Sequence, residues 1–395
     1  MNKTLVAVLA VATLICLAAA GPAVAASSLL DLAFSGATLA EVQALISAGA
    51  DVNARGSDGW TPLMRAGASN GDPSIIAALV DAGADVNARL KENATVLMLA
   101  AANTSNAGII DALVAAGAEV DGTDTDGWTP LMYAAAFGSS AEVIRTLSRL
   151  GADPNAATPD GRTPLMLAVS VGDGVDKAAA LLEAGADPNA ADQNGWTPMF
   201  FAADRNPDPS MIDLLAAAGA YVDAVGLDGS TPLMIAAGYS SNPAVIEALL
   251  KGGADVNATD DQRWTPIMWA VTYTMVPEVV QPLIEAGAEV NVFQSFGMSP
   301  LMLAAVYGTS SDIIGVLLEN GADIEATGLN GWTALTFAVA EGGDPDAVEA
   351  LIEAGADVNH TDWSGRTVLQ HARERAEEDG ATEIIDLLIA AGAHD

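Results

Sequence analysis

The feature that most limits how this chain can fold is a repeat whose register does not slip. Thr-Pro-Leu or a close relative opens successive copies at Thr61, Thr95, Thr129, Thr163, Thr197, Thr231, Thr265, Ser299, Thr333 and Thr367, every 34 residues. A second marker keeps the same beat at Gly49, Gly83, Gly117, Gly151, Gly185, Gly219, Gly253, Gly287, Gly321 and Gly355, each followed by alanine. Self-similarity at a fixed short period builds a stacked array, in which each module buries its apolar face on its neighbours. A compact globule around one closed core does not fit such a pattern.

Local chemistry defines one module. Thr129 suits a helix N-cap, because its hydroxyl accepts from an orphan N–H of the first turn. Pro130 follows at the first helical position, where no N–H is needed. This predicts a first helix from Leu131 to about Ala136, small enough at Ala134 to Ala136 for a neighbour to approach closely, and ended by Gly138. A second helix is marked by Pro73, Pro209, Pro243, Pro277 and Pro345, with Asp72, Asp208, Asn242 and Asp344 as caps. It carries apolar residues at three- and four-residue spacing, as in Ile246, Leu249 and Leu250. The Gly of Gly-Ala-Asp then suits a left-handed cap. The following segment, such as Asp255-Val256-Asn257-Ala258, is short and turn-rich, and in several copies leads to Asp-Gly or Asn-Gly, which suits a tight hairpin turn.

Helix, turn, helix and finger together are similar to the ankyrin repeat. The likeness is carried by Gly-x-Thr-Pro-Leu, by Ala-Ala in the first helix and by Gly-Ala-Asp-Val-Asn-Ala, and covers residues 27 to 395. Tetratricopeptide repeats share the period, but their Trp/Leu/Gly/Tyr spacing is absent. The resemblance implies an all-α chain with short β-hairpin fingers, an ankyrin-repeat α-solenoid of about eleven helix pairs. Two departures stand out. The family's usual period is about 33. The usual histidine after Thr-Pro-Leu is methionine at Met64, Met98, Met132, Met166, Met234, Met268 and Met302, so a threonine–histidine hydrogen bond common in the family is missing. That methionine ladder reads as packing, since equivalent slots about 10 Å apart cannot share one metal ion.

The ends differ from the middle. Residues 1–25 read as a secretory leader: Lys3, an uncharged run from Leu5 to Ala20, and a small-residue cleavage site ending at Ala25. The apolar part is short for a membrane span of about 20 residues. Cys16 raises a lipoprotein anchor as a rival, opposed by Ile15 where such signals carry a small residue. The expected location is therefore exported, in a periplasm or outside the cell. Residues 26–60 form an N-terminal capping unit whose second helix opens with a Thr38/Glu41 capping box. Residues 61–366 hold nine consecutive repeats, and residues 367–395 a charged C-terminal cap in which the glycine expected at position 389 comes at Gly392. At about 8–10 Å per helix layer, eleven units would advance about 100 Å.

Charge narrows the partners. The chain has 15 basic and 51 acidic residues, a net charge of −36. Loss of Lys3 with the leader makes this 14 against 51, or −37. Nucleic acid and anionic membranes are poor partners for such a surface, because both are held by Lys and Arg. Cys16 is the only cysteine, so no disulfide is expected. The only histidines, His360, His371 and His394, crowd one end, and no Cys/His set for zinc or Ser-His-Asp set for hydrolysis can be assembled along most of the chain. The stretch Asp121-Gly122-Thr123-Asp124-Thr125-Asp126-Gly127 resembles a calcium loop only faintly, lacking the glutamate at the twelfth position. No catalytic residue, cofactor or metal site is expected.

A binding face is legible instead. In ankyrin-like arrays, partners sit on finger tips and first-helix ends along the concave side. The residue eight after each Thr is Phe137, Tyr239, Tyr273 and Tyr307 in four copies, whereas Ser69, Asn103, Arg205 and Glu341 fill the slot in four others. Two fingers, 221–227 and 292–298, carry apolar tips, which need a contact to justify them. Trp60, Trp128, Trp196, Trp264 and Trp332 recur every 68 residues, which points to duplication of a two-module block; these rings brace fingers or join the face. The expected anchors are Tyr239, Tyr273, Tyr307, Trp264, Phe293 and Phe296, on a monomeric, non-catalytic scaffold for a protein partner. The alternative is a secreted inhibitor or immunity-type protein that blocks a basic enzyme or toxin.

Overall fold

The computed structural model describes residues 29–32, 37–69, 71–172, 174–205, 208–274, 276–307, 311–379 and 382–394. The expected leader and Cys16 lie outside them. Among the described residues the chain forms twenty-two α-helices, as eleven successive pairs, and no sheet. They fall into two compact units, one ending at Gln193 and one starting at Asn194. The first holds the pairs Leu29–Leu32 and Leu39–Ser47, Pro62–Gly67 and Ser74–Asp81, Val96–Asn103 and Ala107–Ala115, Pro130–Phe137 and Ala141–Arg149, and Pro164–Val169 and Val175–Glu183. The second holds Pro198–Arg205 and Ser210–Ala217, Pro232–Tyr239 and Pro243–Lys251, Pro266–Tyr273 and Pro277–Glu285, Pro300–Val306 and Ser311–Glu319, Ala334–Glu341 and Pro345–Glu353, and Val368–Asp379 and Glu383–Ala390.

Most first helices start as their sequence predicts; the Thr197 and Thr265 hydroxyls make no cap bond. Thr129 is extended (φ −92°, ψ 165°), and its hydroxyl accepts from the Met132 N–H at 3.3 Å. Thr61, Thr95, Thr163, Thr231 and Ser299 do the same for the methionine three residues on. That methionine is buried in every one of these copies. In three of them it also replaces the missing histidine as an acceptor: the Met64, Met98 and Met302 sulfurs lie 3.5, 3.3 and 3.3 Å from the cap residue's own N–H. A soft thioether thus fills space and satisfies a backbone donor at once. In the last copy Gln370 occupies the slot and closes a full capping box with Thr367.

Asn242 and Asp344 cap their second helices as expected, while Asp72 and Asp208 fall one residue before the cap; all four accept from the N–H two residues on. The prolines vary by one position. Pro243, Pro277 and Pro345 take the first helical position, whereas Pro73 and Pro209 sit at the cap. Inside, Val245, Ile246 and Leu249 are buried and Leu250 is half-buried. A fully buried side chain of this kind contributes roughly 1.5–3 kcal/mol, and the pattern repeats in module after module.

The glycine of Gly-Ala-Asp is left-handed throughout, from φ +87° at Gly49 to +93° at Gly355, and the displaced Gly392 takes the same role at +95°. The asparagine that follows explains the rest of the motif. Asn257 donates its amide to the Gly287 carbonyl at 3.1 Å and accepts from the Glu289 N–H at 2.9 Å, stapling its module to the next. Asn53, Asn87, Asn155, Asn291 and Asn359 make the same two bonds. Gly138 differs from expectation. It is extended (φ −66°), and the need for glycine is room: an added Cβ would come within 2.6 and 2.9 Å of the Ala134 and Ala101 carbonyl oxygens. Its own carbonyl accepts from the buried Lys177 ammonium at 3.1 Å.

The fingers are turns rather than strand pairs. Among the described residues only two isolated antiparallel bridges occur, Arg89 with Thr95 and Thr361 with Thr367. At the tip Gly59 donates to the Gly56 carbonyl, and Gly56 donates to that of Trp60. The fourth turn residue is left-handed, as glycine in most copies and as Asn93 and Arg263 in two. This matches a β-turn followed by a single left-handed residue, not the two-residue hairpin turn suggested by Asp-Gly, except in the 328–331 finger, where Asn330 and Gly331 are both left-handed. Neighbouring tips are joined by one backbone bond, such as Ser295 N–H to the Gln262 carbonyl at 3.0 Å. Within the arms, local turns such as Ala258 N–H to the Asp255 carbonyl at 3.2 Å take the place of ladder bonds.

Candidate functional site

Three successive first helices of the second unit end in exposed tyrosines. Tyr239 is 56%, Tyr273 51% and Tyr307 54% exposed. Each comes from the last turn of its helix or the residue just past it. The spacing of the repeat brings two of them together: the Tyr239 and Tyr273 rings lie 5.7 Å apart at 30°. Trp264, at the base of the preceding finger, stacks on Tyr273 at 6.1 Å and 21°. A fourth ring, Trp269, which the sequence reading missed, completes the group. It lies edge-on to Tyr239 at 6.0 Å and 5.3 Å from Tyr273, and its buried side packs on the cluster of Phe200, Ala224 and Ile235. The signal was present: four residues after Thr265, Trp269 takes a slot held by Ile235 and Leu303 in the flanking copies.

The finger anchors divide. Phe296 stands at a tip, 58% exposed, its N–H donating to the buried Gln294 side chain. Phe293 is half-buried. Further exposed apolar tips continue along the fingers that follow. Leu329 packs where a Cβ on Gly297 would sit, and Trp363 lies against Gly331 in the same way. These two were also missed, because a single Leu or Trp after Gly or Asp carries no periodic signal. Tyr221, Val225 and Leu227 expose the earlier apolar finger.

Beneath the tips, carboxylates hold the turns. Asp260 accepts from the Gln262 and Trp264 N–H groups at 2.9 and 2.8 Å with one oxygen, and from the Trp269 indole at 3.3 Å with the other. Burial first, then the neighbouring Tyr239, Tyr307 and Asp260, pushes the Tyr273 phenol above its ordinary value. Its ring therefore stays neutral at physiological pH. Three buried polar atoms of this repeat, the Trp264 indole nitrogen and the Thr265 and Thr272 hydroxyls, make no hydrogen bond to the protein.

Three more tryptophans of the 68-residue series brace first helices. Trp128 stacks on Phe137 at 5.6 Å, Trp196 on Phe200 at 5.4 Å, and Trp332 meets Phe337 and His371 edge-on at 5.1 and 5.0 Å. The histidines are likewise built into the frame. His360 donates to the Gly331 carbonyl at 2.7 Å, and buried His371 to Asp362 at 3.0 Å. In the 121–127 stretch, Asp124 is committed to the finger turn and to Tyr133, and Asp121 accepts from the Asp153 N–H. Among the described residues no group of three or more His, Cys, Asp or Glu is placed to hold a metal ion, and no helix is long and apolar enough to cross a membrane.

A family model described as ankyrin repeats, in three copies, matches overlapping windows that together run from residue 64 to 395. Among solved structures the chain is similar to the ankyrin repeat domain of Bcl-3, a member of the IkappaB protein family. Identity is 29% over 58% of this chain and 99% of that one, with a TM-score of 0.49. No curated protein matches the chain.

Proposed function

Because the chain belongs to the ankyrin repeat family, whose members are generally non-catalytic protein-interaction scaffolds, we propose that it holds a protein partner against the aromatic face of its second unit. The observation that carries this placement is the group of Tyr239, Trp264, Trp269 and Tyr273, four rings in mutual contact on a surface where packing alone would accept smaller or polar side chains. Other copies place Ser69, Asn103, Arg205 or Glu341 in the tyrosine slot. Large aromatic side chains dominate interface energetics because they bury much area at low entropic cost. Tyr307, Phe293 and Phe296 extend the face toward the finger tips. The partner meets the protein after export, in a periplasm or outside the cell, as the leader-like residues 1–25 support.

A photo-crosslinking amino acid placed at Tyr239 or Phe296 should capture the partner. The same group at Glu247 or Glu319 on the second helices should not. Equal capture from both sets would remove the case for this face. A second reading is favoured by the net charge of −36: the partner is a basic enzyme or toxin, and the protein its inhibitor. In that case complex formation suppresses the partner's activity and weakens steeply with salt.

A further inference from the structure

The chemistry around the aromatic face indicates what it takes. From Trp264 to Gly365 the sequence holds 14 acidic residues and no lysine or arginine. Exposed Asp228 and Asp261 stand on the fingers that precede Tyr239 and Trp264 in the chain, and exposed Glu341 occupies the tyrosine slot two copies after Tyr273. Asp260 lies beneath the rings, bound to the Trp269 indole. Two cations flank the rings in the chain: Arg263 at the finger turn before Trp264, and Arg205, paired with Asp204 at 2.7 Å, in the tyrosine slot one copy before Tyr239. Aromatic faces carry negative charge density and attract cations lying over them. An acidic surround adds to that attraction and repels an acidic partner, a second copy of this chain included.

Resting on the binding-face reading above, we propose that the Tyr239, Tyr273, Trp264 and Trp269 group receives lysine or arginine side chains from an extended basic segment of the partner protein. The Tyr239 and Tyr273 rings, 5.7 Å apart, suit alternate residues of an extended chain, which lie about 6.6 Å apart. The affinity comes from ring faces and the surrounding field together.

The test uses the full chain and a fluorescein-labelled twelve-residue peptide of alternating lysine and serine. A matching peptide with Nε-acetyl-lysine serves as the neutral control. The lysine peptide should bind, and the acetylated one should bind at least about threefold more weakly. Tyr239→Leu and Tyr273→Leu, which keep apolar area and net charge, should each weaken lysine-peptide binding at least about threefold. Tyr273→Phe, which keeps the ring, should stay within about twofold of the parent, as should Glu278→Gln on the second helix. Leucine variants that bind like the parent would show that the overall field alone holds the peptide, and would overturn the proposal. So would equal binding of the acetylated peptide, or no binding of either. If a natural partner still crosslinks to the Tyr239 position and does so at any salt concentration, the face stands as a binding site and only its preference for cations falls.

Discussion

The hydroxyl of Tyr133 donates to the carboxylate of Asp124, nine residues earlier, at 2.8 Å. Asp124 is buried, and its other oxygen accepts from the N–H groups of Asp126 and Trp128 in the finger turn. One carboxylate therefore ties a finger tip to the first helix that follows it. The same offset joins Asp260 to Trp269 and Asp362 to His371. Burial, the hydrogen bond and the nearby Asp124, Asp126 and Glu92 charges push the Tyr133 phenol well above its ordinary range.

Removing that donor should loosen the finger. Tyr133→Phe keeps the ring packed against Trp128 and Phe137 and removes the phenol donor from Asp124. A hydrogen bond to a charged acceptor is worth about 1.5–3 kcal/mol, and urea denaturation should show a loss near the low end of that range. In a double-mutant cycle with Asp124→Asn, the two losses should be less than additive by at least about 0.5 kcal/mol. Full additivity would mean that the contact contributes nothing of its own.

Asp362 predicts a pH dependence. Burial works to raise its carboxyl, but hydrogen bonds from Ser364, Arg366 and His371 outweigh it and hold the group well below the usual carboxylate range. The folded value lies below the unfolded one, about 3.9. Its stabilisation is therefore complete above that unfolded value and drains away as pH falls through the folded one. The thermal midpoint of the parent should exceed that of Asp362→Asn at pH 6, and the gap should narrow below about pH 4. A gap that stays constant to pH 2 would contradict this assignment.

Pro282 lies inside the helix Pro277–Glu285. It lacks the N–H that this position would donate, and its ring crowds the preceding turn. Pro282→Ala should therefore raise stability, by as much as about 3 kcal/mol. An unchanged or lower melting temperature would mean that the proline limits the unfolded chain more than it strains the helix.

Much of this fold is legible because each module repeats its own instructions. Thr129, Pro130 and Gly117 each act through their own local conformation, so one copy read correctly gives most of the others; Thr197 and Thr265 are exceptions, their hydroxyls making no cap bond. What stayed hidden depends on contacts between copies. The staple from Asn257 to Gly287 and Glu289 spans a module boundary. The extended Gly138 answers to Ala101 in the previous module. The ring group at Tyr239 and Tyr273 was visible as a row of aromatics, but Trp269 in their midst required knowing which way a helix faces. The fingers misled in a different way, since Asp-Gly at a tip fits several turn types and only the backbone bonds decide among them.

The buried hydroxyls near the face allow a paired test. Thr272 makes no hydrogen bond to the protein, so replacing its hydroxyl by a methyl group in Thr272→Val should stabilise by about 1 kcal/mol. The same change at the cap, Thr129→Val, should destabilise by about 1 kcal/mol, because a helix N–H loses its acceptor. Two losses of equal size would mean that Thr272 has an acceptor after all.

The most direct measurement is the affinity of the captured partner for Tyr273→Ala and Phe296→Ala variants of the full chain, read by calorimetry beside Glu285→Ala on a second helix. If the aromatic face is the binding site, each of the first two weakens binding by at least about 1 kcal/mol, roughly fivefold, and the third leaves it unchanged. Unchanged affinity in both aromatic variants would place the partner elsewhere on the array.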